Sequence, residues 1–224
     1  MPASTITERI EEVRARINAA CMRSGRSPKE VTLIAVTKGF PVPAIREAYE
    51  AGLRQFGENR VQEAQEKAPA LADFHDITWH MIGHLQTNKA KTAVALFDII
   101  HSVDSLHLAQ EISRRAPHTV PAFLEANVSG ESSKFGMSLS EIGERYESIA
   151  ALPNIGVRGL MTIAPLATDP EQARAVFRQL RETGETLGLR ELSMGMTGDY
   201  ETAIEEGATH IRVGRAIFGG AARA

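Results

Sequence analysis

The stretch "LIAVTKGFP", Leu33 to Pro41, puts a lysine at the end of an apolar, partly β-branched run of the kind that forms a strand buried on both faces. An amine there has two uses. It can reach solvent from the strand end while its stem covers apolar surface, or it can act as the nucleophile that a carbonyl cofactor needs. Taken alone, the stretch is better explained by the first. Two glycine-bearing segments near the C-terminus, "SMGMTGD" and "RVGRAIFGG", offer a second kind of chemistry. Glycine lets backbone N–H groups approach a phosphate closely, and a helix start adds a favourable dipole. Thr197 can donate its hydroxyl there, and Gly214 and Arg215 their backbone N–H groups. By themselves these glycines need only make tight turns. Together with Lys38 they make a phosphate-bearing aldehyde a candidate ligand. "HMIGH" sets His80 and His84 four residues apart, but on a strand-to-loop segment without the glutamate of a zincin, so no metal site is expected.

Residues so far apart in sequence must be brought together by the elements between them. Ile6, Ile10, Val13 and Ile17 recur at helical spacing behind Thr5 or Thr7 as cap, and Gly25 and Pro28 end that helix. A strand over 31–37 follows. Strands are then expected in "LRQFGEN", "ITWHMIG", "FDIIHSV", "VPAFLEANV", "IGVRGLMTI", "ELSMGM" and "HIRVG". Helices are expected over 43–51, 60–71, 87–96, 105–116, 139–152, 170–187, 199–207 and 215–220. Eight strands, each followed by a helical stretch, call for a parallel sheet and point to a single (β/α)8 TIM barrel with an extra N-terminal helix, one domain over 1–224. A doubly wound sheet is the alternative, but the first strand is followed by no GxGxxG turn. In a barrel, chemistry sits at the C-terminal strand ends, and the loops after strands 7 and 8 are the usual phosphate site. The polar strand ends read here include Lys38, Glu58, Asn59, His80, His101, Asp104, Glu125, Asn127 and Thr162.

Composition bounds the class. The chain has 224 residues, 43% hydrophobic and 24% charged, with a formal net charge of -3, ordinary for a globular protein and without the basic balance of a nucleic-acid binder. One cysteine, Cys21, excludes an intrachain disulfide and suits a reducing compartment. No apolar run is long enough to span a membrane, and the charged, amphipathic start is unlike a signal peptide, so a cytoplasmic protein is expected. The cluster "ERIEEVRAR" is expected to be a solvated face with i,i+4 ion pairs.

The segments "LIAVTKGFP", "FGENRVQEA", "WHMIGHLQTNK", "SKFGM", "RGLMTI", "LSMGMTGDYETAI" and "IRVGRAIFG", in this order over nearly the whole chain, resemble the pyridoxal phosphate homeostasis proteins, the YggS/PROSC family. The resemblance implies a barrel like the N-terminal domain of alanine racemase, with pyridoxal 5′-phosphate (PLP) held as a Schiff base on Lys38. It implies Asn59 as a neighbour of the cofactor ring, and Thr197 with the Gly214 and Arg215 backbone as phosphate ligands. Arg212 resembles the racemase-type arginine facing the pyridine nitrogen. Arg60 stands where many members carry tyrosine, and His84 where many carry proline.

An arginine stays protonated and cannot give the pyridine nitrogen a proton, so the ring remains a weak electron sink. A racemase of this fold also needs a second domain that brings a tyrosine acid/base. Tyr49 and Tyr146 fall within expected helices, and Tyr200 follows the phosphate loop and is expected to pack. These points favour a cytoplasmic, monomeric PLP-binding protein that buffers the cofactor or delivers it to apo PLP-dependent enzymes, without robust catalysis. A PLP-dependent racemase-like enzyme is the alternative, and a phosphosugar-binding barrel in which Lys38 only makes an ion pair is a third reading. Lys134, in "ESSKFGM", is a candidate second amine at the mouth, against the plainer reading of a solvated loop lysine.

Overall fold

Thr5 opens the first helix by a reciprocal cap. Its hydroxyl accepts from the Glu8 amide at 3.2 Å, and the Glu8 carboxylate accepts from the Thr5 amide at 2.8 Å. Helix α1 (Ile6–Arg23) then buries Ile10, Val13, Ile17, Ala20 and Cys21 along one stripe. The computed structural model describes residues 4–131, 134–165 and 169–219. Ser132 and Ser133 of the "SGESSKFG" loop, and Gly220 of the closing "RAIFGG", lie outside the described residues.

The strand and helix units follow in the expected order: β1 (Thr32–Val36), α2 (Val42–Glu50), β2 (Gln55–Glu58), α3 (Val61–Lys67), β3 (Thr78–Met81), α4 (Ala90–Leu96), β4 (Ile99–Val103) and α5 (Leu106–Arg115). The second half runs β5 (Val120–Ala126), α6 (Leu139–Ala150), β6 (Ile155–Thr162), α7 (Arg174–Thr186), β7 (Glu191–Met196), α8 (Tyr200–Glu205), β8 (His210–Val213) and α9 (Arg215–Phe218). The strands close into a parallel barrel in sequence order, with β8 paired to β1. Helices expected over 60–71, 87–96 and 170–187 are each divided into an α-helix and a 3-10 turn. Pro69 and Pro170 sit at the start of two of those turns, where a missing N–H and a fixed φ do no harm; the turn Thr87–Lys89 has no proline.

The charged face of α1 differs from expectation. Its arginines pair across elements rather than along their own helix: Arg16 with Glu201 at 2.6 Å, and Arg23 with Glu205 at 2.7 Å. Arg14 donates to the carbonyls of Ala51 and Gly52. The cause is packing, since α1 lies against α2 and α8 and finds partners there.

Two buried layers differ in character. The apolar core lies between strands and helices, where Ile45, Phe56, Leu108, Ile112, Ile149, Phe177 and Tyr200 are buried together. Ile34, Val36, Ile82, Phe123 and Met161 are buried but stand apart from that layer. They share the barrel interior with buried polar groups: Phe123 stacks on the His101 ring at 4.4 Å and meets His210 edge-on. Barrel interiors are commonly filled by branched aliphatic side chains, so this polar filling is the feature that function must explain. Among the described residues, no helix is long and apolar enough to cross a membrane.

Closure between β6 and β7 depends on Gly159, which follows a register shift against β5. A Cβ there would sit 1.8 Å from the Glu191 carbonyl oxygen, which is backbone and cannot swing away. Gly159→Ala is therefore expected to lower stability in urea unfolding by roughly 3 kcal/mol, the upper range for overpacking. Gly143, exposed on α6 with nothing within 4 Å of a would-be Cβ, is the control. Gly143→Ala should raise stability by about 0.5–1 kcal/mol.

Candidate functional site

Strand register gathers the expected residues at one end of the barrel. Val36 pairs with Gly57, Ala35 with Val213, and Met196 with Arg212. Residues just past these pairs therefore surround one mouth: Lys38 after β1, Asn59 after β2, Thr197 after β7, and Gly214 with Arg215 after β8. Lys38 follows β1 in a turn that the Phe40 amide closes on the Thr37 carbonyl at 3.0 Å. Lys38 and Arg215 are exposed, and Asn59, Thr197 and Gly214 are half-buried. Asn59 Oδ1 is buried without a hydrogen-bond partner. Gly214 lies so close to β1 that a Cβ would come within 3.2 Å of the Val36 carbonyl oxygen.

Arg212 is inside, 4% exposed. It donates from Nη1 to Ser193 Oγ at 2.6 Å and from Nη2 to the Thr162 carbonyl at 2.8 Å. It has no carboxylate at ion-pair distance among the described residues. Burial lowers its pKa to about 10, against the opposing pull of Asp199 and Glu125, so it remains a cation at neutral pH. From Ser193 a file of hydrogen bonds crosses the barrel. Ser193 Oγ meets His101 Nδ1 at 2.8 Å, His101 Nε2 meets His80 Nδ1 at 2.9 Å, and His80 Nε2 meets Gln55 Oε1 at 2.8 Å. The Gln55 amide in turn donates to Thr78 Oγ1 at 3.2 Å.

The Gln55 nitrogen is spent on Thr78, so its oxygen accepts from His80 Nε2, and with both rings neutral this sets the direction of the whole file back to Ser193. Ser193 accepts from Arg212 and donates to His101 Nδ1. His101 then carries its proton on Nε2 and gives it to His80 Nδ1, and His80 donates from Nε2 to Gln55. Both rings must be neutral for this, and burial holds them so: His80 is pushed down to about 3, and His101 well below the ordinary histidine range. His80 and His101 had been expected at strand ends; they sit within β3 and β4. The signal for them was a histidine at the barrel-facing phase of otherwise apolar strands, and Ser193, in "ELSMGM", carried no signal that separates it from an ordinary strand serine.

Glu125, on β5, is 5% exposed, and its Oε2 has no partner. Burial first, then Asp104, raises its pKa to about 7, with Arg212 opposing. Asp104 lies 3.0 Å from His84 Nδ1, and the His84 ring stacks on Phe135. Lys134 stands 2.9 Å from Glu131 Oε1, an ion pair whose angle falls outside hydrogen-bond geometry. A recess of about 440 Å³ opens beside Asn59, lined also by Arg60, His84, Gln86 and Lys89. Among the described residues Lys38, Arg60, Lys89, Arg212 and Arg215, all at or beside this mouth, form no ion pair, and neither do five further cations elsewhere in the chain: Arg9, Arg14, Lys29, Lys91 and Arg190. A second recess of about 260 Å³ lies outside the 197–199 loop, but its arginines, Arg16 and Arg23, are paired with Glu201 and Glu205. No metal-binding group of three or more His, Cys, Asp or Glu occurs among the described residues.

The Glu125 carboxyl gives a pH signature in the protein without ligand. Its folded pKa lies above the unfolded value, so the folded chain keeps a proton that the unfolded chain releases, and stability falls as pH rises from 4.5 to about 7. Glu125→Gln removes that loss. Urea unfolding should find the variant roughly 1–3 kcal/mol more stable than wild type at pH 8, and the two alike at pH 4.

The family model for the alanine racemase N-terminal domain matches residues 10–222. A pyridoxal phosphate homeostasis protein of Pseudomonas aeruginosa is 45% identical over 221 residues, covering 96% of each chain. Among solved structures, PipY of Synechococcus elongatus with PLP bound is 41% identical at a TM-score of 0.84, covering 96% of this chain and 100% of that one. An alanine racemase from Corynebacterium glutamicum, 17% identical with a TM-score of 0.67, shares the fold over 93% of this chain and 61% of its own. The strand order, the barrel mouth and these likenesses agree, and the chain belongs to the pyridoxal phosphate homeostasis protein family, built on the fold of the alanine racemase N-terminal domain.

Proposed function

We propose that this chain binds PLP at the barrel mouth and serves cytoplasmic PLP homeostasis, holding the cofactor and passing it to apo PLP-dependent enzymes, as a monomer and as one unit over 1–224. The relatives are named for PLP homeostasis, and the PipY structure holds PLP. The observation in this chain that carries the reading is Arg212, a buried cation without a carboxylate partner, at the mouth where Lys38 stands unpaired. Buried charge without a partner is costly, and a ligand that accepts from the guanidinium offsets that cost. The residues fit the three ends of PLP. Lys38 offers an amine to the aldehyde; the new C=N bond forms as the carbonyl oxygen leaves in water with the two amine protons. Arg212 donates to the pyridine nitrogen and leaves it unprotonated. Thr197 and the Gly214 and Arg215 amides, unused by the first turn of α9, suit the phosphate, and Asn59 lies beside the ring. The unpaired cations around the mouth draw an anionic ligand in.

The same residues argue against turnover. A ring held by an arginine is a weak electron sink, and Tyr200 is buried in the apolar layer with its hydroxyl unpartnered. The racemase reading is tested by steady-state racemisation assays of the PLP-loaded protein with common amino acids; sustained racemisation would establish it.

Borohydride treatment of the PLP-loaded protein is expected to bleach its visible absorbance and fix the cofactor on Lys38 by mass mapping. Lys38→Ala should abolish that adduct, and an adduct on another lysine at wild-type yield overturns the assignment. Thr197→Ala should weaken PLP binding by roughly 1–3 kcal/mol, the range for a hydrogen bond to a charged group. Pyridoxal, which lacks the phosphate, should bind variant and wild type equally. Parallel weakening of both ligands would rule out the phosphate role.

A further inference from the structure

Behind the Lys38 loop, on the outer side of the barrel wall, lies a second buried ion cluster that the proposed binding mode does not use. Lys67, at the end of α3, is 8% exposed. Its ammonium donates to the Thr37 carbonyl at 2.7 Å, to Glu58 Oε1 at 2.7 Å and to Glu63 Oε1 at 2.6 Å, which uses all three of its protons. The Thr37 hydroxyl donates to the same Glu58 oxygen at 2.6 Å, and the Gly39 amide donates to the same Glu63 oxygen at 2.5 Å. Burial raises the Glu58 pKa, and Lys67 and Thr37 oppose it. For Glu63, burial alone would raise the pKa, but the bonds from Lys67 and Gly39 bring it below the ordinary value.

The geometry of these bonds is specific to one residue. The Thr37 carbonyl belongs to the peptide group before the Lys38 Cα, and the Gly39 N–H to the peptide group after it. Both peptide planes that flank Lys38 are thus tied to one ammonium and its carboxylates. Thr37 N is also held by the Gly57 carbonyl at 3.0 Å, and Gly39 takes a φ of 73°, which favours glycine. Fixing both planes fixes φ and ψ of Lys38, and with them the direction of its Cα–Cβ bond. A buried salt bridge is weak evidence for stability as such. One that closes on both sides of a single residue is better explained by what that residue must do.

We propose that Lys67, with Glu58 and Glu63, is the positioning device for Lys38: it aims the Lys38 side chain into the mouth, so that the amine meets the aldehyde of a ligand already held by its phosphate. This rests on Lys38 being the amine that takes PLP. In the test, full-length variants Lys67→Met, Lys67→Arg and Glu63→Gln are compared with wild type for two ligands. One is PLP. The other is pyridoxine 5′-phosphate, which has the ring and phosphate but no aldehyde.

Lys67→Met and Glu63→Gln should take up PLP covalently roughly ten- to a hundredfold more slowly, the scale expected for a misplaced reacting group. They should bind pyridoxine 5′-phosphate as wild type does, and Lys67→Arg should restore part of the rate. In the protein without ligand, Glu63→Gln should speed hydrogen exchange of the Gly39 amide. If Lys67→Met does not fold, Glu63→Gln, at a half-buried position, decides. Covalent uptake at the wild-type rate in a folded Glu63→Gln variant overturns the proposal, and so does equal weakening of both ligands. A wild-type adduct on a different lysine would overturn the Lys38 assignment instead, while Gly39 exchange would still report whether the cluster holds the loop.

Discussion

The barrel interior is organised by one file of buried hydrogen bonds that ends on Arg212, a cation that can only donate, and on Gln55, whose nitrogen is spent on Thr78. With both rings neutral, those two ends assign every role between them. Ser193 must accept and then donate, His101 and His80 must be neutral with their protons on Nε2, and Gln55 must present its oxygen. A break in the file would leave a buried donor or acceptor unmade, at about 1–3 kcal/mol, more than the roughly 1 kcal/mol that each made bond contributes. The file is therefore cooperative in the sense that its members are worth keeping only together. It also means that aliphatic side chains fill only part of the barrel: Ile34, Val36, Ile82 and Met161 share the interior with the file, and the larger apolar core lies outside the strands.

The polar interior has an electrostatic consequence. His80, at about 3, and His210, at about 4, are held below the ordinary 6.5 by burial, so the unfolded chain takes protons as pH falls below 6.5 and these rings favour the folded state at higher pH. Glu125, raised to about 7, works the other way between 4.5 and 7. The two sets oppose each other between pH 4.5 and 6.5, which flattens the dependence that either would give alone. Such opposition follows whenever acids and bases are buried side by side around one cation. Its sharpest member is Glu125, whose free oxygen lies near the mouth and whose charge state responds to anything that binds beside Arg212.

The barrel was legible because its evidence is periodic. Apolar runs such as "LIAV" and "AFL" alternate with amphipathic stretches eight times, and strand ends such as Lys38, Asn59 and Gly214 then fall at one mouth by topology alone. The helix ends were less legible, because terminal turns take 3-10 geometry, at Pro69 and Pro170 and also over Thr87–Lys89, without changing the apolar pattern. The α1 arginines were misread because ion-pair partners on other elements cannot be seen in a local window. Ser193 and Lys67 were not singled out for the same reason. One is an ordinary serine in a strand and the other an ordinary lysine at a helix end, until register puts Ser193 against Arg212 and a helix turn puts Lys67 under Thr37.

The two clusters divide the work of the mouth between the faces of one wall. Lys67 and its carboxylates hold the β1 end from outside, and Arg212 and its file hold the β8 end from inside; β1 and β8 are hydrogen-bonded neighbours. On the proposed reading, the first aims an amine and the second sets a donor opposite a ring nitrogen. Both act on the ligand's position, and neither supplies a proton that moves. The guanidinium stays charged, its partners stay neutral, and the tyrosine beyond the Thr197 loop is buried away from the mouth. A catalyst of the same fold would need a group that changes protonation within reach of the substrate carbon. Here the titrating group nearest in character is Glu125, and it faces Arg212 and Asp104. A site built from fixed donors is suited to holding a reactive aldehyde without consuming it, which is the property that a store of PLP requires.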